Sequence, residues 1–251
     1  MDNFLVNVDK TVINPKNLAD FLNLQIEKIN IIFKSHPHPV ISYKADNSPV
    51  TTLDLELSSF IEELFRSHRP DRTFYSEEKF SEWKFPLLAL DPLDGTREYI
   101  SGNPEWAISV GDFPSEKFDG EGWIYNPASG EVFDHGINKE FFEKIKYRGE
   151  VSKTEWNKGF YKSIADKKFD IHPVGSIAYK LGRLSHHKCD FVVSLLPKNI
   201  WDIAGGTLLC HQAGMKFYSQ GKEVTTVQKI YHPPLIWCHP SLFLQLSKVF
   251  A

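Results

Sequence analysis

Apolar residues recur at helical spacing over Leu18, Phe21, Leu22, Ile26, Ile29, Ile32 and Phe33, and this stripe predicts an amphipathic helix from about Pro15 to His36. The polar stretch KADNSP then interrupts the pattern as a turn. Leu53, Leu57, Phe60, Ile61 and Leu64 form a second stripe, which predicts a helix from Thr51 to about Ser67 with Thr51 as its N-cap. From RTFYSEE onward the pattern shortens to apolar runs between turns: FPLLAL, WAISVGDF, GEGWIYNP and GEVFDHG. These read as strands of an antiparallel sheet. Beyond about residue 145 the elements alternate. VGSIAYKLGRLSHH is helical, CDFVVSLL a strand, and WDIAGGTLLCHQAG a helix ended by Gly214; MKFYS and PLIWCHP are strands, and SLFLQLSKVF is a last helix. No repeat or low-complexity linker divides the chain, so two subdomains sharing an interface, 1–145 and 146–251, describe it best.

Composition narrows the function classes. A chain of 251 residues with 41% hydrophobic content can bury a substantial core. A net charge of −3 provides no general basic field for a nucleic acid polymer. MDNFLVNVDK has neither the basic nor the apolar region of a secretory leader, and no apolar run approaches the roughly 20 residues that span a bilayer. The expectation is a soluble, cytoplasmic protein without a membrane partner. Cys189, Cys210 and Cys238 are odd in number and widely spaced, which argues for buried thiols over disulfides or a zinc knuckle. Neither HExxH nor a strand-linked GxGxxG occurs, and the HPH and HH pairs read as surface histidines.

The chemistry concentrates in LALDPLDGTREYISG. PLLAL reads as a buried strand ending in the turn DPLDGT, where Pro92 sets one φ angle and Gly95 allows close backbone approach. Asp91 and Asp94 can then converge, and convergent carboxylates repel unless a cation lies between them. Hard oxygen donors, with the Leu93 carbonyl as a further ligand, suit Mg²⁺ or Mn²⁺. The amides of Gly95 and Thr96 could hold a phosphate. Asp-Pro and Asp-Gly are also ordinary turn dipeptides. Other acidic positions have ordinary readings too: Glu77 and Glu78 as a solvated pair, Asp202 as a helix cap, and Thr51 with Asp54 as a capping box.

Taken in order, DNSPVTTLD, SEE, DPLDGT, VGSIAYK and WDIAGG resemble the motif series of the inositol monophosphatase superfamily, lithium-sensitive and magnesium-dependent phosphomonoesterases. The likeness runs from Lys44 to Gly214, and DPLDGTREYISGNPEWAISVG with NPASGEVF is most similar to the bacterial 3′(2′),5′-bisphosphate nucleotidase branch. The resemblance implies an α+β fold, a layered α-β-α-β-α sandwich with the active site between its halves. Glu77, Asp91 and the Leu93 carbonyl would hold one Mg²⁺, and Asp91, Asp94 and Asp202 a second. Glu77 would also reach a third, weaker ion, and Mn²⁺ would substitute. Glu78 would support a water on the metal from outside the ligand set. Asp54 would accept the Thr96 hydroxyl proton, orienting that threonine to deprotonate the attacking water. The resemblance also admits a homodimer.

Where the family usually has glycine before the Glu pair this chain has Ser76, and where it has alanine before the catalytic aspartate it has Leu53. Every acidic ligand is present, which speaks against a family-shaped binding protein without turnover. For the substrate, the nucleotidase likeness favours 3′-phosphoadenosine 5′-phosphate, cleaved at the 3′-phosphate to AMP. Lys198, in LLPKNIWD, would bind the second phosphate, and Gly175 and Ser176 would donate to the ribose or the remaining phosphate, beside Asp94, Gly95 and Thr96. Inositol phosphates and fructose 1,6-bisphosphate are the alternatives.

Overall fold

Asn17 accepts a hydrogen bond from the Asp20 amide at 2.7 Å and so caps α1 (Leu18–Asn23), the first element of the computed structural model. The structure describes residues 17–79, 82–162, 164 and 168–250; Pro15, the expected helix start, lies outside them. The single long helix expected here is two, α1 and α2 (Ile26–Ser35), parted at Leu24 and Gln25. Asn23 causes the break, because its side chain accepts from Trp123 Nε1 at 2.9 Å and donates to Asp134 at 2.7 Å. Those partners hold the chain against the sheet and turn it. The KADNSP turn joins a small hairpin, β1 (Ile41–Tyr43) and β2 (Pro49–Thr51), which leads into α3 (Thr52–His68).

The first sheet contains β3 (Thr73–Ser76), β4 (Leu87–Asp94), β5 (Ala107–Phe113), β6 (Glu121–Asn126) and β7 (Glu131–Phe133) in sequential order. β4 to β7 form the antiparallel meander that the turn spacing implies, but β3 pairs parallel to β4. β4 also continues through the segment expected to be a turn. Its partners run from Leu87↔Phe113 to Asp91↔Ser109, shift, and resume at Asp94↔Ala107. Pro92 has no amide to donate, so the ladder breaks there and both aspartates project from a strand irregularity. Gly95, at φ +98°, then reverses the chain into α4 (Thr96–Ile100).

The second sheet is mixed, and in spatial order its strands are Lys222–Glu223, Lys216–Ser219, Leu235–Cys238, Phe191–Ser194, Tyr147–Ser152 and Phe169–Val174. Its chain-ordered members are β8 (Tyr147–Ser152), β9 (Phe169–Val174), β10 (Phe191–Ser194), β12 (Lys216–Ser219), β13 (Lys222–Glu223) and β15 (Leu235–Cys238). A separate pair, β11 (Lys198–Asn199) and β14 (Ile230–Tyr231), flanks it. The helices of this half are α5 (Lys153–Asn157), α6 (Ile177–Ser185), α7 (Ile200–Gln212) and α8 (Pro240–Phe250).

Period-two alternation in the strands sets the layers. In β4, Leu88 and Leu90 pack with Phe21, Leu57 and Ile61 of the N-terminal helices. Leu87 and Ala89 face the other way, toward Leu181 of α6, Ala204 of α7 and Val192 and Trp237 of the second sheet. The far side of that sheet, through Phe191, Val193 and Ile236, covers Leu242 and Leu246 of α8. The result is a five-layer α-β-α-β-α sandwich with α6 and α7 between the sheets. All three cysteines are free and buried in it. His36, His186 and His187 are half-buried, not fully exposed, and His187 Nε2 lies 2.6 Å from the Ile137 carbonyl. No helix among the described residues is long and apolar enough to cross a membrane.

α7 approaches the first sheet unusually closely, since a Cβ built on Gly122 would sit 2.2 Å from the Gly205 carbonyl oxygen. Gly122→Ala should therefore push α7 off the sheet and cost about 1–3 kcal/mol. At ~2–4 °C per kcal/mol for a chain of this size, thermal unfolding should begin several degrees lower. An unchanged melting curve would contradict this account of the helix-to-sheet contact.

Candidate active site

Two helices begin at the site, and each brings a carboxylate as its third residue. In α3, Asp54 Oδ2 accepts from the Thr51 amide at 2.8 Å and the Thr51 hydroxyl at 2.5 Å, closing a capping box. Asp54 Oδ1 faces the Thr96 hydroxyl at 3.0 Å. The carboxylate thus serves the helix cap and the site together, one oxygen to each. In α7, Asp202 Oδ2 accepts from the Asn199 amide at 3.0 Å.

The irregular end of β4 brings Asp91 and Asp94 to Asp202. One carboxylate oxygen from each lies within 4.8 Å of the others, and all three line a cavity of about 270 Å³ with Glu77, Thr96 and Lys198. Asp91 is buried, and its Oδ1 accepts the Leu93 amide at 3.0 Å. Asp94 Oδ2 is gripped from across the sheet interface by the Ser176 hydroxyl at 2.5 Å and the Ala178 amide at 2.6 Å. Glu77 lines the cavity outside the three-aspartate cluster: its carboxylate and that of Glu78 share the Lys44 ammonium, at 2.7 and 2.8 Å. The pair is therefore not a solvated surface feature. Ser76, which stands where the family has glycine, is fully buried and accepts the Glu78 amide at 3.3 Å.

The electrostatics are those of crowded anions. Burial raises the Asp91 carboxyl well above its ordinary value, and Glu77, Asp94 and Asp202 add to the shift. Burial likewise pushes Asp202 from 3.8 up to about 7, with Lys198 opposing and Asp94 and Glu77 adding. A set of hard oxygen donors whose charges disfavour one another fits a divalent cation of the Mg²⁺ type.

The substrate side is arranged differently from the sequence expectation. The Gly175 amide donates to Glu105 Oε2 at 2.8 Å, and Ser176 Oγ is committed to Asp94, so neither is a free donor. Both residues still line a second cavity of about 130 Å³ with Asp94, Gly95 and Lys198. Lys198 forms no ion pair among the described residues. Two lysines were missed at the sequence level. Lys44 bridges the glutamate pair and offsets one of its two charges. Lys180, 2% exposed, donates to the carbonyls of Val174, Gly175 and Ser176 at 3.0, 3.1 and 2.8 Å. Burial lowers its pKa to about 8. The available signal was a lysine inside the apolar stripe of Ile177, Leu181 and Leu184.

The family model of the inositol monophosphatase family matches residues 21–233. This chain belongs to that family. It is 28% identical over 206 residues to the 3′(2′),5′-bisphosphate nucleotidase CysQ of Escherichia coli K12, covering 75% of this chain and 83% of that one. Among solved structures, an inositol monophosphatase from Thermotoga maritima superposes with a TM-score of 0.77 at 23% identity, covering 92% of this chain and 96% of that one. An IMPase/NADP phosphatase complexed with Mg²⁺ and phosphate gives 0.75 at 14% identity, with 91% and 92% covered. Both structural likenesses show the family's fold.

Because Asp202 has a raised pKa in the folded state, the metal-free protein should be most stable below its unfolded value of 3.8 as far as this group is concerned, and lose that stability as pH rises through about 7. Mg²⁺, binding only the folded cluster, should restore it above that pH. Melting temperatures in EDTA and in Mg²⁺ across this range should diverge with rising pH, and Asp202→Asn should flatten the EDTA curve. Parallel curves for wild type and variant would remove the crowded-anion account.

Proposed function

We propose that the protein is a magnesium-dependent phosphomonoesterase that hydrolyses 3′-phosphoadenosine 5′-phosphate to AMP and inorganic phosphate, using residues of both halves, 1–145 and 146–251. The observation that supports it most is that the three-aspartate cluster of Asp91, Asp94 and Asp202 shares a cavity with Thr96, whose hydroxyl faces the Asp54 carboxylate. Asp91, Asp94, Asp202, Glu77 and the Leu93 carbonyl would hold the ions. When bound, such ions polarise the phosphoryl group, acidify water and offset charge on the leaving oxygen.

The chain's own residues supply the proton path and the positioning. Thr96 Oγ1 lies 3.0 Å from Asp54 Oδ1 and 3.2 Å from the Leu93 carbonyl, and its single proton serves one acceptor at a time. With the proton directed to Asp54, a lone pair on Oγ1 is left to accept from the attacking water. Burial raises the Asp54 carboxyl pKa, which makes it the better base for this relay. Glu78, its carboxylate held by Lys44 and its amide by the Ser76 hydroxyl, would support that water from outside the ligand set. The Gly95 and Thr96 amides, at the start of α4 and on the cavity wall, would donate to the phosphate, and Lys198 would bind the second phosphate. The nucleotide reading draws on the CysQ likeness and on Lys198, which lines both cavities and forms no ion pair with a described residue; an inositol phosphate is the second reading, favoured by the family as a whole.

Thr96→Val tests the relay more cleanly than a change at Asp54, which would also uncap α3. It should lower kcat by about 10²-fold or more while Mg²⁺ affinity, measured by calorimetry, and the melting temperature stay near wild type. A variant with wild-type kcat removes the relay.

Substrate choice is tested by kcat/KM for 3′-phosphoadenosine 5′-phosphate, inositol 1-phosphate and fructose 1,6-bisphosphate in parallel. The nucleotide should lead by at least about tenfold, or ~1.4 kcal/mol, and Lys198→Ala should abolish most of that lead. If another ester leads, the nucleotide assignment fails and the metal-dependent phosphatase remains.

A further inference from the structure

Glu98 lines both cavities of the site: the larger one with Asp94, Thr96 and Asp202, and the smaller one with Thr154, Gly175 and Lys198. Nothing in the arrangement above uses its half-buried carboxylate. It accepts a hydrogen bond from its own amide and forms no ion pair with a described residue. Two nearby cations are engaged elsewhere, Lys153 by Glu105 at 2.6 Å and Lys180 by three carbonyls. Its stem is held in place, because a Cβ built on Gly175 would lie 2.5 Å from Glu98 Cγ. The result is an oriented acceptor lining the cavity, met only by its own amide and by no side-chain donor among the described residues.

An acceptor of this kind selects its ligand chemically. A phosphate oxygen would be repelled, while a neutral hydroxyl donating to a carboxylate forms one of the stronger hydrogen bonds available. Glu98 also shares a cavity wall with Asp94 and Thr96, so the group it contacts must lie close to the reacting phosphate. We infer that Glu98 is a specificity residue that accepts a hydrogen bond from a free hydroxyl on the carbon next to the one bearing the scissile phosphate. This rests on the phosphomonoesterase reading above. A ribose 2′-hydroxyl and a ring hydroxyl of a polyol phosphate share the required chemistry.

The test compares kcat/KM for 3′-phosphoadenosine 5′-phosphate and its 2′-deoxy counterpart, and for inositol 1-phosphate and its 2-deoxy and 6-deoxy analogues, in wild type, Glu98→Gln and Glu98→Ala. The wild type should prefer the hydroxylated ester by about tenfold or more in at least one series, which also identifies the source of the hydroxyl. Glu98→Ala should reduce that ratio to within about threefold of unity, whatever it does to the absolute rate, and Glu98→Gln, which keeps an acceptor oxygen, should retain part of it. A merely structural role would depress both members of a pair equally. No preference in wild type, or a preference undiminished in Glu98→Ala, overturns the inference and leaves the phosphatase standing. An enzyme that cleaves none of these esters removes both.

Discussion

Mutual repulsion among carboxylates is the constraint around which this molecule is arranged. Asp91, Asp94 and Asp202 place oxygens within 4.8 Å of one another, with Glu77 adding its charge nearby. Unsupported, such a cluster would open. The chain restrains it with hydrogen bonds and cations drawn from distant segments: Ser176 and the Ala178 amide on Asp94, the Asn199 amide on Asp202, Lys44 on Glu77. These supports hold the geometry while leaving the remaining oxygens available to a cation.

The same helices that build the layers also deliver the acids. Asp54 and Asp202 are each the third residue of a helix, bonded to the capping residue's amide, where the positive end of the helix dipole favours a negative charge. Placing an acid there stabilises the helix start and fixes the carboxylate's direction at once. The depth of Asp202 in the site then depends on how closely α7 can approach the first sheet, which the contact of Gly122 with the Gly205 carbonyl sets. Packing between layers and geometry at the site are therefore one problem.

Much of this was legible locally. Helical periodicity and the Thr51 capping signal located α3 to within a residue, and short apolar runs between turns located β5 to β7. The rest was hidden by partners remote in the chain. β8 lies inside the second sheet, yet YRGEVS does not look apolar, because the fully buried Glu150 is paired with Arg183 at 2.8 Å. β9 is an edge strand, and FDIHPV carries the mixed polarity of an edge. The break between α1 and α2 answers to Trp123 and Asp134, about a hundred residues away.

At the site the division is sharper. The sequence by itself determined the set of acids and a strand end able to break and reverse where it presents them, because the missing amide at Pro92 and the tolerance of Gly95 for a positive φ are properties of those residues wherever they stand. Only the tertiary structure decided which groups those acids meet. Lys44 reaches the glutamates across 33 and 34 positions, Ala178 reaches Asp94 across 84, and the Gly175 amide is taken by Glu105 across 70. Hydrogen bonds at that separation follow from how two sheets stack around α6 and α7, and the stacking is a property of the whole buried surface that no local stretch encodes.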